Sequence, residues 1–391
     1  MTRILIAFAD TGGGHRAAAE SIRSALLAHS DDVRVVLADP YAEESRWPFA
    51  RLGGTYPVVV QRAPWLWDAG FRITNSPRVV RAVQRAAWPV LRRGFDALAA
   101  TTTPDVIVCT HPLLTAPLRR SYPQVPIIVV VTDLISGHVS WYDPGADLIV
   151  VPTAEARDAA IAAGIPREQV HLIGIPVAPG FIAQPGERRA LCARLGWSVD
   201  RPTILLAGGA EGIGPLEAFA VAIDRSQLPC DIAVVAGRNQ ALAARLRSRR
   251  WQGTTHVYDF VGNLAELVRG ASALVTKAGP GTISEACASG CPLILTSAIA
   301  GQETGNIAFV TRGRAGVWAP SPLATTAALH AWLVGRDAPA ALQRASRAAL
   351  KLARPQAATA IASLVREAAA AAAIPHVVTT GSSTASDAAA A

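Results

Sequence analysis

The sequence predicts an α/β chain made of two doubly wound halves, each a parallel sheet covered by helices on both faces. Three observations predict it. Short runs rich in Val and Ile alternate with helical stretches along most of the chain. These runs are apolar at consecutive positions, as strands buried on both faces are. The order strand, glycine loop, helix opens each half.

The elements follow in order. Ile4–Ala9 reads as a strand, His15–His29 as a helix and Val33–Ala38 as a second strand. Residues 41–95 form a long insertion before the next strand, with helical stretches around Pro57–Trp67 and Arg78–Ala100. Strands at Asp105–Cys109, Pro126–Val131, Asp147–Val151 and Val170–Ile173 complete the first half. A break rich in Pro, Gly and Arg at Ile175–Arg201 separates the halves, with a hinge from Gly174 to Val177. In the second half Thr203–Ala207 is followed by a glycine loop and a helix. Strands then follow at Asp231–Ala236, His256–Phe260, Ala273–Thr276 and Pro292–Thr296. The expected domains are residues 1–175 and 195–370, and the polar, low-complexity segment 371–391 is expected to be a disordered tail. A length of 391 residues fits two or three domains, and 51% hydrophobic against 17% charged residues exclude disorder over most of the chain.

The formal charge is +8, and 35 of the 37 basic residues are Arg; Lys277 and Lys351 are the two Lys. The charge is concentrated. From Arg46 to Arg93 there are nine Arg and one acid, Asp68, so this window alone carries +8. It also holds Trp47, Trp65, Trp67 and Trp88. Arg78, Arg81, Arg85 and Arg92 recur at helical spacing, with Val79, Val83, Ala86, Ala87 and Val90 on another face. That pattern fits either an ordinary amphipathic helix with Trp in the core and Arg in water, or a helix lying on an anionic bilayer with Trp at headgroup level, which a lipid substrate would favour. The expected membrane contacts are Trp65, Trp67, Arg81, Arg85, Trp88 and Arg92. Charge confined to one segment, without a nucleic-acid module, argues against a nucleic-acid partner.

The five Cys (109, 192, 230, 287 and 291) form no CxxC pair, and the His residues are not at metal-ligand spacing. Reduced thiols and no metal site are expected. Arg3 leads straight into a strand, which does not resemble a secretory signal. No apolar run approaches the ~18 residues of a membrane span. The expected location is peripheral, on the cytoplasmic face of a bacterial cell membrane.

Three segments carry the chemistry. The first is Asp10-Thr-Gly-Gly-Gly-His-Arg-Ala-Ala-Ala-Glu20, directly after strand one. Its glycines allow a sharp turn and close approach to the next helix. Gly12, Gly14, Ala17 and Asp39 loosely satisfy a dinucleotide fingerprint, which makes a dehydrogenase the first competitor. His15 argues against it, because the positive end of a helix keeps an imidazole neutral and able to accept a proton. The second is Ala207-Gly-Gly-Ala-Glu-Gly-Ile-Gly-Pro215, whose glycines can wrap an anion. The third is Thr276-Lys-Ala-Gly-Pro-Gly-Thr-Ile-Ser-Glu-Ala286. Here a strand ends and a helix starts near Thr282, with free amides and the Thr282 and Ser284 hydroxyls placed for phosphate oxygens. Glu285 suits the two hydroxyls of a ribose. Downstream, Gly301-Gln-Glu-Thr-Gly-Asn306 offers amide and carboxylate groups for sugar hydroxyls.

Together with Val131-Thr-Asp-Leu-Ile-Ser-Gly-His-Val-Ser-Trp-Tyr142, Ala236-Gly-Arg-Asn239 and Phe260-Val-Gly-Asn-Leu-Ala-Glu-Leu267, these segments are in the order found in one family. The chain resembles the galactolipid synthases and related processive diacylglycerol glycosyltransferases, over about residues 3–320. It is more distantly similar to the peptidoglycan lipid I N-acetylglucosaminyltransferase. The resemblance implies the GT-B architecture, two Rossmann-like domains facing each other across a cleft. It implies that His15 activates the acceptor, with Gly13, Gly14, Asp133, His138 and Trp141 on the acceptor side. On the donor side it implies Gly209 and Gly212 in the phosphate loop, and Arg238, Phe260 and Val261 at the nucleobase. Gly281, Thr282 and Ile283 match the diphosphate turn, Glu285 the ribose, and Gln302, Glu303 and Asn306 the sugar. Relatives often read His-Pro-Thr-Trp-Phe where this chain has His138-Val-Ser-Trp-Tyr142, a departure on the acceptor side.

The expected reaction is transfer of a hexosyl group from UDP-galactose or UDP-glucose to a lipid such as diacylglycerol. It is expected to invert the anomeric centre and to need no metal and no cofactor beyond the UDP-sugar. A UDP-N-acetylglucosamine transferase acting on a lipid-linked acceptor and a UDP-sugar epimerase are the alternatives. A dehydrogenase leaves the Pro-Gly-Thr-Ile-Ser-Glu and Gly-Gln-Glu-Thr-Gly-Asn segments without a role, and a non-catalytic nucleotide-binding protein is a further reading, which lipid-dependent release of UDP from a UDP-sugar would separate from a transferase.

Overall fold

The computed structural model describes residues 1–10, 13–29, 32–41, 63–184, 186–212 and 214–372. The N-terminal domain runs β1 (Thr2–Ala7), α1 (Gly14–His29), β2 (Val33–Ala38), α2 (Pro64–Thr74), α3 (Pro77–Thr101), β3 (Val106–Cys109), α4 (Thr115–Ser121), β4 (Ile127–Val130), β5 (Leu148–Val151), α5 (Ala154–Ala162) and β6 (Val170–Leu172). The C-terminal domain runs α6 (Arg188–Leu195), β7 (Thr203–Ala207), α7 (Leu216–Arg225), β8 (Asp231–Val235), α8 (Gln240–Ser248), β9 (Thr255–Tyr258), α9 (Leu264–Gly270), β10 (Ala273–Lys277), α10 (Pro280–Ala288), β11 (Leu293–Ser297), α11 (Thr304–Arg312), β12 (Gly316–Trp318), α12 (Pro322–Leu333) and α13 (Ala338–Leu352). A last helix, α14 (Ala357–Ala372), follows.

Each domain is built on one six-stranded sheet, in the orders β2-β1-β3-β4-β5-β6 and β12-β11-β10-β7-β8-β9. All recorded pairings are parallel. The two doubly wound halves expected from the sequence are thus present. Apolar runs serve both faces. Along β1, Leu5 and Ala7 pack with Phe95, Ile107 and Val129, while Ile4 and Ile6 pack with Ile22, Leu26 and Val108 on the other side. Strand order reverses between β1 and β3 and again between β7 and β10. In open sheets of this kind the crevice beyond the strand ends at such a reversal is where ligands bind.

Three expectations need correction. The sheet's edge strand β12 escaped the sequence reading, because three residues give no pattern. An added Cβ at its Gly316 would lie 2.1 Å from the Leu293 carbonyl oxygen, so only glycine lets it pair closely. Residues 357–370 do not belong with the second domain. Ile361, Ala362, Val365 and Ala369 of α14 complete the N-terminal core against Ile4, Ile22 and Val108. The chain therefore crosses between domains twice, and the crossings lie side by side. Gly174 has φ +131°, and an added Cβ there would meet the Arg354 Cβ at 2.6 Å. In the basic insertion, the helix expected around Pro57–Trp67 runs from Pro64 to Thr74. Residues 42–62, with Trp47 and three Arg of the window (46, 51 and 62), and the expected tail from residue 373 lie outside the described residues.

The insertion's second helix, α3, buries Val80, Leu91, Gly94, Phe95 and Leu98. Val83 and Val90 point instead to solvent, as do Trp65, Leu66 and Ile73 of α2. Arg81, Arg85 and Arg92 are exposed among them. Two of the expected membrane contacts turn inward. Trp67 is half-buried, and Trp88 packs on Phe95 with the Arg120 guanidinium 5.0 Å from its ring centroid. Trp88 lies next to the buried stripe, three residues before Leu91 and seven before Phe95, which draws it onto the core. Among the described residues no helix is long and apolar enough to cross a membrane.

Candidate active site

Loops at the C-terminal strand ends of the two sheets meet across a cleft. Gly13, after β1, lies near Ala210, after β7, with an added Cβ 4.0 Å from the alanine Cβ. Gln302 Nε2 donates to Asp133 Oδ1 at 3.2 Å. Gly305 leaves room for the acceptor-side loop, where an added Cβ would stand 2.5 Å from Ser136 Oγ. Phe71 of α2 lies against Gly301, where an added Cβ would be 2.9 Å from the ring. Gly301 also has φ +78°, so this loop needs glycine for its turn as well as for this contact.

His15 sits in the first turn of α1, presented by Gly13 with φ +83°. Its Nδ1 lies 2.7 Å from the Thr110 carbonyl oxygen and 3.0 Å from Thr132 Oγ1. A carbonyl only accepts, so Nδ1 carries the hydrogen and the lone pair is on Nε2. Nε2 has no hydrogen-bond partner among the described residues. Burial pushes the imidazole pKa down to about 4, against the opposing pull of the Thr110 carbonyl and of Asp10. His15 is therefore neutral near pH 7. Its ring packs edge-on to His111 (centroids 4.7 Å) and is tilted 5.9 Å from Trp141.

The other acceptor-side residues divide by role. Trp141 is fully buried and donates from Nε1 to Asp133 Oδ2 at 2.7 Å. It forms the floor beneath His15 instead of an open contact surface. Burial raises the Asp133 carboxyl to about 6, while the Trp141 and Gln302 hydrogen bonds pull the other way. His138 caps the turn at Val139–Trp141: Ser140 Oγ lies 2.8 Å from Nδ1, and Thr74 Oγ1 lies 3.2 Å from Nε2. Phe71 packs edge-on to the same ring at 5.0 Å. Both His138 nitrogens face hydroxyl partners, so the residue fixes the loop.

In the C-terminal domain two glycine turns interlock. Gly212 has φ +58°, and an added Cβ would lie 2.0 Å from the Ala236 carbonyl oxygen; at Gly237 (φ +61°) it would lie 2.3 Å from that of Ala210. Gly209 is also left-handed, at φ +77°. This places Arg238 over the exposed Phe260 ring, 4.7 Å from its centroid, with its guanidinium on Glu211 Oε1 at 2.5 Å. Val261 packs on the core beside them.

The third segment starts its helix at Pro280, two residues before the expected Thr282. Proline has no N–H, and Ile283 spends its own on the Gly279 carbonyl at 3.0 Å while its side chain is buried. Gly281 and Thr282 thus carry the free amides, and Ile283 is corrected to a core residue. Ser284 is also withdrawn, because its hydroxyl donates to the Pro280 carbonyl at 2.9 Å. Glu285 is half-buried, with no hydrogen-bond or ion-pair partner among the described residues, and burial raises its carboxyl to about 7. Glu303 is buried, paired with Lys277 through Oε1 and accepting the Ile299 amide through Oε2 at 2.9 Å. Asn306 is buried too, donating to the Ala278 carbonyl at 2.9 Å, while its own Oδ1 has no partner among the described residues. Among the described residues no group of three His, Cys, Asp or Glu side chains is arranged to hold a metal ion.

Sequence reasoning missed Thr110, Thr132, His111 and Lys277. The first two act through chain-distant hydrogen bonds that leave no local pattern. Lys277 had a signal, since it is one of two Lys among 37 basic residues.

Known proteins extend these observations. The family model described as monogalactosyldiacylglycerol (MGDG) synthase matches residues 15–177, and that of the glycosyltransferase family 28 C-terminal domain matches residues 203–303. A probable monogalactosyldiacylglycerol synthase, chloroplastic, from Glycine max is 36% identical, over 91% of this chain and 69% of its own length. The chloroplastic monogalactosyldiacylglycerol synthase of Spinacia oleracea is 36% identical, over 91% and 70%. Among solved structures, Acinetobacter baumannii MurG aligns with TM-score 0.60 at 12% identity, covering 94% of this chain and all of that one. The UDP co-structure of S. aureus MnaA aligns with TM-score 0.61 at 13% identity, covering 92% and 95%. A UDP-GlcNAc 2-epimerase from Neisseria meningitidis aligns equally well, with TM-score 0.60 at 11% identity over 94% of this chain and all of that one. These likenesses establish the GT-B fold and do not separate transferase from epimerase. The sequence relatives overturn one expectation, the bacterial cell membrane: they are chloroplastic proteins of plants.

Proposed function

Given that the chain belongs to the monogalactosyldiacylglycerol synthase family, and is thus a UDP-sugar hexosyltransferase acting on diacylglycerol, we propose that it transfers galactose from UDP-galactose with inversion, using His15 as the base. The observation that carries this is the His15 tautomer. Its Nδ1–H is tied to the Thr110 carbonyl, leaving the Nε2 lone pair with no hydrogen-bond partner among the described residues. The donor lies on the C-terminal domain, with uracil beside Arg238 and Phe260 and ribose on Glu285. Its diphosphate rests on the Gly281 and Thr282 amides and the Gly209–Gly212 loop. The diacylglycerol hydroxyl attacks the anomeric carbon from the opposite face and loses its proton to Nε2. A single displacement turns the α-linked donor into a β-galactoside. Helix amides and loop dipoles meet the charge of the leaving UDP, so no metal is required.

The test is incubation of the protein with UDP-galactose and diacylglycerol vesicles in EDTA. UDP release that depends on diacylglycerol, with a β-configured product by proton NMR, is the expected result. An α product removes the inverting mechanism, and inactivity in EDTA that Mg²⁺ restores removes the metal-independent one. Glu285→Ala is expected to weaken UDP binding about 10- to 100-fold, since hydrogen bonds to a charged group contribute roughly 1.5–3 kcal/mol. Calorimetry showing unchanged UDP affinity would remove the ribose role.

The two helices of the basic insertion form the membrane-docking surface. Trp65, Leu66, Ile73, Val83 and Val90 supply exposed apolar area, and Arg81, Arg85 and Arg92 supply charge for anionic lipid headgroups.

A further inference from the structure

The geometry points to Lys277 as the cation that binds the donor's β-phosphate and neutralises the leaving UDP, an inference that rests on the donor reading above. Lys277 is the last residue of β10. The β10–β11 register slips there: Thr276 pairs with Leu295 but Lys277 with Ser297, passing over Thr296. Such a bulge re-aims the side chain at a strand end. It brings Nζ against the turn that starts α10, where an added Cβ at Gly279 would lie 3.2 Å from Nζ. That turn presents the free Gly281 and Thr282 amides.

The charge is held and left partly unspent. Nζ pairs with the buried Glu303 carboxylate, which fixes its position. An ammonium has three N–H donors. Glu303 takes one, and the other two have no hydrogen-bond partner among the described residues. The side chain is 26% exposed, on the cleft side where its charge also reaches Asp133. An arginine fork is the chain's habitual cation; here a compact point charge fits the narrow space that Gly279 leaves open.

In the reaction the bond from the anomeric carbon to the β-phosphate oxygen breaks, and its electron pair stays on that oxygen. The acceptor oxygen forms the new bond, and its proton goes to His15 Nε2. Negative charge grows on the β-phosphate, next to a cation already in place.

Binding of UDP and UMP separates this role from a structural one, because only UDP has the β-phosphate. For Lys277→Met, UDP affinity is expected to fall about tenfold by calorimetry while UMP affinity is unchanged. The double variant Lys277→Met/Glu303→Gln, which leaves no unpaired buried carboxylate, is expected to show the same loss of preference. If either variant that still binds UMP normally keeps the wild-type preference for UDP, the assignment is overturned. Equal weakening of both nucleotides, restored in the double variant, overturns it as well and makes Lys277 a support for the fold. Wild-type protein that binds neither nucleotide overturns the donor reading itself.

Discussion

His15→Ala is expected to lower kcat by about 10²–10⁴-fold while UDP affinity stays at the wild-type level, because a positioned general base contributes on that scale. Donor binding should be spared because the proposed donor elements lie on the other domain. The pH profile adds an independent check. Burial holds the His15 pKa near 4, so the base is neutral over the whole range above it. As pH falls, kcat should stay level through pH 6 and decline only on approach to 4, where Nε2 becomes protonated. A limb centred near 6 would implicate Asp133 instead, whose carboxyl burial raises to about 6. A His15→Ala enzyme with near-native turnover would exclude the base role outright.

Reversing charge at Arg81, Arg85 and Arg92 together should reduce binding to anionic vesicles by more than a hundredfold. Each basic residue near such a surface contributes about 1 kcal/mol, and reversal replaces attraction with repulsion. The three guanidinium groups are exposed on α3 and no salt bridge joins them to an acid among the described residues. The change leaves the buried stripe of Val80, Leu91, Phe95 and Leu98 untouched, so the fold should survive. Vesicle flotation at matched ionic strength measures the effect, and binding to neutral vesicles reports the apolar part alone. Retained binding to anionic vesicles would place the docking surface elsewhere.

These two predictions differ in how much the sequence disclosed. His15 was legible because a glycine turn and a helix start leave a local signature. Its tautomer was not, because Thr110 and Thr132 arrive from β3 and β4. The two sheets were legible from runs apolar on both faces, with strand ends displaced by one or two residues. The stripe that α3 buries was not legible in the sequence, which marked only the face of Val79, Val83, Ala86, Ala87 and Val90. Ala and Val tolerate either side, and Pro89 inside the helix disturbs any simple phase. The true stripe shows only once Phe95 and Leu98 meet β3 and β4. Trp88 followed that stripe inward while Trp65 stayed out, a distinction that composition does not make. Helix α14 gives the same lesson on a larger scale. Its Ala-rich sequence shows an apolar face but no address, and that face belongs to the opposite domain.

The paired crossings at Gly174 and Arg354 have a mechanical consequence. A single connecting strand would let one domain swivel about the chain axis as well as bend. Two strands abreast resist torsion and leave bending as the soft motion. Any opening of the cleft about this pair would therefore follow one arc. A hinge of that kind would keep His15 and the α10 turn in one alignment.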